Sequence, residues 1–77
     1  MVNIGQVYKI IRYQQNINPI LKRKLLSFGL TPTTEFEVIR KAPCGDPIQI
    51  KVRGMNLMLR QSELDCLIYE ILPNIKK

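Results

Sequence analysis

Two hydrophobic periods divide this chain. From position 48 it reads I-Q-I-K-V-R, with Ile48, Ile50 and Val52 on one side and Gln49, Lys51 and Arg53 on the other. That is the period-two pattern of a strand with one face in a core. Glu35–Lys41 alternates in the same way, with Phe36 and Val38 opposite Glu35 and Glu37. Ile39 then breaks the alternation and predicts a bulge or a strand buried on both sides. Gln6–Arg12, Met55–Leu59 and Cys66–Leu72 complete the set of strands, with Leu57 and Leu59 as core positions.

One segment follows the helical period instead. Leu21, Leu25 and Phe28 lie at i, i+4 and i+7 and form a single apolar stripe. Asn18 supplies an N-cap, and Pro19 suits the first helical position, where a missing N–H costs nothing. Gly29 can take the left-handed C′ conformation, with Leu30 folding back onto Leu25 as a Schellman motif requires. Lys22, Arg23 and Lys24 occupy much of the remaining face. Arg60–Leu64 has room for one helical turn.

Turn residues separate these elements. Ala42–Pro47 is the clearest cluster: Gly45 supplies the awkward dihedral, Asp46 can bond local backbone groups, and Pro47 fixes φ at the strand entrance. This turn sets the register that sends Ile48, Ile50 and Val52 inward and Lys51 and Arg53 outward. A slip of one residue would invert every one of those side chains. Four to five short strands, tight turns and one early helix predict a mainly β fold, a small barrel whose closure removes sheet edges.

Size narrows the function. With 77 residues the chain forms a single domain spanning 1–77, and residues 73–77 read as a frayed basic tail. A chain of this length buries only roughly 60% of its unfolded surface, so nearly every large apolar residue is needed in the core. Hydrophobic residues make up 45% of the total, enough to fold. There is no apolar run of ~18 residues to span a membrane and no signal-peptide pattern at the start. Two cysteines, Cys44 and Cys66, are too few for a disulfide scaffold, and a reducing, cytoplasmic setting fits them best.

Candidate chemistry is sparse. The chain has no histidine, which removes the commonest general base and the commonest zinc ligand. Phosphate-binding and nucleophile motifs are missing as well. Glu35 and Glu37 share a strand face but lack the converging donors of a cation site, and Glu63 and Asp65 read as solvated. Cys44, Cys66, Met55 and Met58 make a conceivable soft-metal set, although a core position is the better reading of each. The sequence therefore predicts no enzyme, no metal site and no cofactor. The net charge of +6 favours an acidic partner surface, nucleic acid or an anionic membrane face. Nucleic acid calls for aromatics interleaved with basic residues. Here Tyr8, Phe28, Phe36 and Tyr69 fall on core positions and only Tyr13 reads as free, so no nucleic acid is expected.

The stretch from Leu21 to Leu72 resembles the FeoA family, small cytoplasmic proteins of the bacterial ferrous-iron transport system. The resemblance rests on the helix end Lys24–Leu30, Pro32, the E-F-E-V strand and the A-P-x-G-D-P-I run at Ala42–Ile48. Arg53–Gly54 and the L-x-L-R at Leu57–Arg60 follow in the expected places. It implies an SH3-like β-barrel with one early α-helix and a short helical turn. It also implies a role beside FeoB, the membrane transporter with a cytosolic GTPase domain, in which the protein contacts the transporter instead of carrying iron. A similar domain ends iron-dependent repressors behind a helix-turn-helix module, and a stand-alone protein is expected here.

Two departures from the family matter. Many relatives have Pro-Gly after the helix, whereas Pro32 is followed by Thr33, a β-branched residue that resists positive φ, so a type I turn is predicted. Cys44 stands where a larger apolar residue is common, which implies a smaller pocket beneath it or an exposed, oxidisable thiol.

The leading expectation is a binding module that docks through Lys22, Arg23 and Ser27 on the helix and through the turn Cys44, Gly45, Asp46 and Pro47. The turn is read as scaffold first and contact second. A sharper variant has Arg23 or Arg60 acting on the GTPase as an activating finger. The alternatives are a small basic nucleic-acid-binding barrel, a metal-responsive SH3-like regulatory domain, and weak self-association through metal at Cys44.

Overall fold

A computed structural model gives the structure of the chain and describes residues 2–72. The expected tail at 73–77 lies outside the described residues. Five strands and two helices follow one another as β1 (Val7–Tyr13), α1 (Pro19–Ser27), β2 (Glu35–Lys41), β3 (Ile48–Val52), β4 (Met55–Leu59), α2 (Gln61–Leu64) and β5 (Leu67–Ile71). They form one antiparallel sheet in the order β4-β3-β2-β1-β5. Among the described residues β4 and β5 do not pair, so the barrel expected from the sequence is incompletely closed and α2 spans its two outer strands.

The register follows the hydrophobic pattern. Ile48, Ile50 and Val52 are fully buried, as are Phe36 and Val38 on β2. Glu37 pairs with Lys51 and Val38 with Ile50, after which the ladder shifts before Arg40 pairs with Gln49. The skipped residue is Ile39, the position where the alternation fails. On β4, Leu59 is buried and Leu57 half-buried against the core.

Aromatic rings knit the first strands together. Tyr8 pairs with Phe36 across β1 and β2, and their rings stack with centroids 5.5 Å apart. Tyr69 of β5 meets both edge-on, at 5.3 and 5.7 Å, an arrangement that favours aromatic clusters beyond the area they bury.

A second bulge corrects the reading of Tyr13. The β1–β5 register shifts between Ile10 and Arg12, which leaves Ile11 as the extra residue, 41% exposed. The shift reverses the phase of the strand, so Tyr13 turns inward instead of outward. Tyr13 is buried, and its hydroxyl donates to the carbonyl of Leu30. Burial also raises its pKa above the usual phenol value.

The helix α1 is bounded as its sequence requires. Asn18 Oδ1 accepts from the backbone N–H of Ile20 at 2.8 Å. At the other end Leu30 N–H donates to Leu25 O and Gly29 N–H to Leu26 O, the paired bonds of a Schellman motif, with Gly29 at φ +87°. Leu25 is fully buried, and Leu21 and Phe28 pack against the core beside it.

The segment after α1 overturns the predicted type I turn. Thr33 sits at φ +73°, and Thr34 N–H closes the turn on Thr31 O at 3.1 Å. Because Pro32 holds the preceding position at negative φ, the turn is type II with threonine in the glycine position. The surroundings hold it there. Thr33 N–H donates to Ile10 O at 2.7 Å, and Arg53 Nη2 donates to Thr34 Oγ1 at 3.0 Å.

Candidate docking surface

The residues expected to make contact lie on α1 and on the 42–47 turn, two of three neighbouring features of the fold, the other being α2. On α1, Lys22, Arg23 and Ser27 are exposed. At about 100° per residue, Arg23 and Ser27 share a face while Lys22 lies a quarter-turn away. Ser27 Oγ donates to Lys24 O at 2.6 Å, so its hydroxyl serves its own helix. Lys24 reaches the other way and forms a 2.8 Å ion pair with Glu63 Oε2 of α2.

The second feature is α2, whose four residues depend on side chains from outside. Glu63 Oε1 accepts from Arg60 N–H at 2.9 Å, a side chain reaching back to the N-cap at the helix start. Asp46 Oδ1 accepts from Gln61 N–H at 2.7 Å. Against the expectation of a solvated side chain, Glu63 is half-buried and bonded by Lys24 of α1 and by Arg60 at the start of α2. The Lys24 ammonium, followed by the Arg60 backbone bond, lowers its pKa below the ordinary carboxyl value.

The third feature is the 42–47 turn. Gly45 adopts φ +94°, the peptide Asp46–Pro47 is cis, and Ala42 N–H bonds Pro47 O at 3.0 Å across the base. The carboxylate of Asp46 does not bond its local backbone as the turn pattern implied. It crosses to α2, with Arg60 Nη1 3.8 Å from its second oxygen. The turn and α1 therefore flank α2 and are linked through it: Asp46 fastens one side and Lys24 the other.

Of the soft residues only Cys66 packs against the core. Met55 and Met58 are 53% and 57% exposed on β4, an outer strand of the sheet. Cys44 is exposed with its Sγ 3.1 Å from Asp46 O, and Cys66 is half-buried. The alternation of β4 turns Met58 outward, whereas Met55 shares the face of Leu57 and Leu59 but sits at the hairpin end of the strand and stays exposed. Cys44 is exposed as well, which selects the exposed-thiol alternative. Among the described residues no three His, Cys, Asp or Glu side chains converge as a metal site would need.

Sequence reasoning missed a groove of about 520 Å³ between the end of β1 and α1. Arg12 and Lys22 rim it, and Ile17, Leu26 and Pro32 provide apolar walls. Lys22 Nζ lies 5.7 Å from the Tyr13 ring centroid, within cation–π range. The polar loop Tyr13–Asn18 carries no motif, and the groove's lining is assembled from the end of β1, this loop, α1 and Pro32.

The FeoA domain family model matches residues 1–70. The chain belongs to the FeoA family. A FeoA-like protein from Clostridium acetobutylicum is 33% identical, with a TM-score of 0.84 over 99% of this chain and 86% of that one. Iron(II) transport protein A from Clostridium thermocellum is 32% identical with a TM-score of 0.86, over 92% of this chain. This chain spans only 43% of that structure's length. A zinc-complexed FeoA from Stenotrophomonas maltophilia, described as a prokaryotic SH3 domain protein, shares the fold with a TM-score of 0.76 at 21% identity. The fold is thus the SH3-like one, and family and fold together support a role in ferrous-iron transport. No helix among the described residues is long and apolar enough to cross a membrane.

The FeoA marks now have physical roles in this chain. Lys24–Leu30 is the helix end with its Schellman cap. Ala42–Ile48 is the turn fastened to α2 by Asp46. Arg53–Gly54 is a two-residue hairpin loop with both residues at positive φ, +51° and +80°, the type I′ turn that suits strand twist. From that loop the Arg53 guanidinium reaches Thr34 and Thr31, at 3.0 and 3.4 Å.

Proposed function

We propose that this FeoA protein is a non-enzymatic accessory of bacterial ferrous-iron uptake. It docks on the cytosolic, GTPase-containing part of FeoB and modulates Fe(II) transport from the cytoplasmic face of the membrane. The family match over residues 1–70 is the observation that carries the reading. The exposed cations Lys22 and Arg23 support it by presenting positive charge on a helix that the core holds rigidly. The Cys44–Pro47 turn is the second contact, anchored by Asp46 so that its tip keeps one shape. Tyr13, the aromatic read as free, is buried, and every other tyrosine or phenylalanine among the described residues is buried or half-buried. That weakens the nucleic-acid alternative, which needs accessible rings.

The test is Fe(II) uptake in a strain lacking the gene, measured under reducing conditions and after complementation. Reduced uptake, restored by the wild-type protein, is expected. Normal uptake in the deletion strain overturns the proposal.

A further inference from the structure

We infer that the groove between the end of β1 and α1 is a peptide site for a short acidic segment with one large apolar anchor. This rests on the docking proposal above and deepens it, since it names a surface and the chemistry of the segment that surface receives.

The floor of the groove argues for an apolar anchor. Leu26 is 39% exposed although it adjoins fully buried Leu25 on the same helix, and it faces Ile17 and Pro32 across the concavity. The volume suits a few side chains, in the usual range for ligand clefts.

The rim argues for acidic flanks. Neither Arg12 nor Lys22 has an ion-pair partner among the described residues, where the two ion pairs involve Lys24 and Arg60 instead. The sequence sharpens this point: Glu35 is the first acidic residue of the chain, and Lys9, Arg12, Lys22, Arg23 and Lys24 all precede it. No carboxylate lines the groove. Its positive field is therefore uncompensated from within and attracts an anionic partner.

A peptide fits better than single-stranded nucleic acid. Nucleic acid without sequence preference needs an open aromatic face on which bases stack. The ring of Tyr13 is buried, and Lys22 lies over it.

The experiment is an NMR titration of the full ¹⁵N-labelled chain with the capped peptide Asp-Glu-Leu-Phe-Glu-Asp. Its Asn/Gln counterpart, a version with Ser-Ser for Leu-Phe, and a short oligothymidylate serve as comparisons. Saturating shifts at the amides of Gln14, Ile17, Lys22 and Leu26 are expected. Binding should weaken at least ~tenfold for the Asn/Gln peptide, for the Ser-Ser peptide and for the double variant R12E/K22E. Both substituted side chains are exposed, and an unchanged Tm and dispersed spectrum confirm the fold of the variant. Shifts centred elsewhere, equal binding of the uncharged peptide, no saturation at millimolar peptide, or tighter binding of the oligothymidylate in the groove each overturn the inference. FeoB recovery undiminished by R12E alone, which leaves Lys22 and Arg23 of the docking face in place, overturns the groove while sparing the docking proposal. Peptide binding in the groove without any FeoB recovery upholds the groove and overturns the docking.

Discussion

The carboxylate of Asp46 accepts a 2.7 Å hydrogen bond from the backbone N–H of Gln61. A turn residue thereby caps a helix fifteen positions away and ties the β2–β3 connection to the β4–β5 connection. The turn keeps its shape through this non-local bond as well as through Gly45 and Pro47.

Asp46→Ala removes that cap and leaves a first-turn N–H to water. We expect a loss of about 1–2 kcal/mol, the range for deleted capping side chains, read as a lower urea midpoint. Asp46→Asn keeps an acceptor oxygen and should lose less than half as much. Equal losses for the two variants would show that the charge facing Arg60 matters more than the bond.

Thr33 carries backbone strain that glycine would release. A left-handed conformation costs a non-glycine residue roughly 1–2 kcal/mol, and the extra freedom of glycine in the unfolded chain returns about 0.5–1 kcal/mol of that gain. Thr33→Gly should therefore raise stability by about 0.5–1 kcal/mol, with an unchanged slope in urea. A lower midpoint would contradict the strain.

The Lys24–Glu63 pair makes stability depend on acid. Because the Lys24 ammonium lowers the pKa of Glu63 in the folded state, its contribution is fully present above the ordinary value near 4.5. It is lost as the pH falls through the lower folded value. With Lys24 half-exposed, the effect is of surface-pair size, about 0.5–1 kcal/mol. Glu63→Gln should flatten the decline in Tm below about pH 4.5 relative to wild type. An unaltered acid limb would refute the assignment.

The two thiols should differ in reactivity. Cys44 is exposed on the turn, and Cys66 is half-buried with its Sγ directed at Ser62 O, 3.5 Å away. Labelling the native protein with a maleimide, followed by peptide mapping, should modify Cys44 first. Preferential labelling of Cys66 would place the turn differently.

Much of this fold is legible in the order of residues, because local rules and the core agree there. The Asn18–Pro19 start, the Gly29 end and the alternation of Ile48, Ile50 and Val52 each have one low-energy outcome. The break at Ile39 marks a real bulge. The misreadings arise where a distant partner decides. Nothing in V-Y-K-I-I-R-Y announces that the extra residue falls at Ile11, so Tyr13 reads as outward. Thr33 opposes its own φ, and bonds to Ile10 and the Arg53 brace on Thr34 settle the matter. Met55 and Met58 read as core by residue type, but Met58 falls on the outer face of the last strand and Met55 at its end beside the hairpin loop. Of the proposed contacts, Lys22 and Arg23 are legible as charged and lie exposed, whereas Gly45, Asp46 and Pro47 of the turn are half-buried. The groove is not legible, since its walls come from separate segments that only the fold brings together.

The proposed docking on FeoB runs through the basic face of α1. Co-purification from detergent-solubilised membranes, with the nucleotide state fixed, tests it most directly. Tagged wild-type protein should retain FeoB, and K22E/R23E with an unchanged Tm should lose most of it, in a salt-sensitive manner. Wild-type protein that recovers no FeoB in any nucleotide state, or a variant that recovers as much as wild type, would contradict the account.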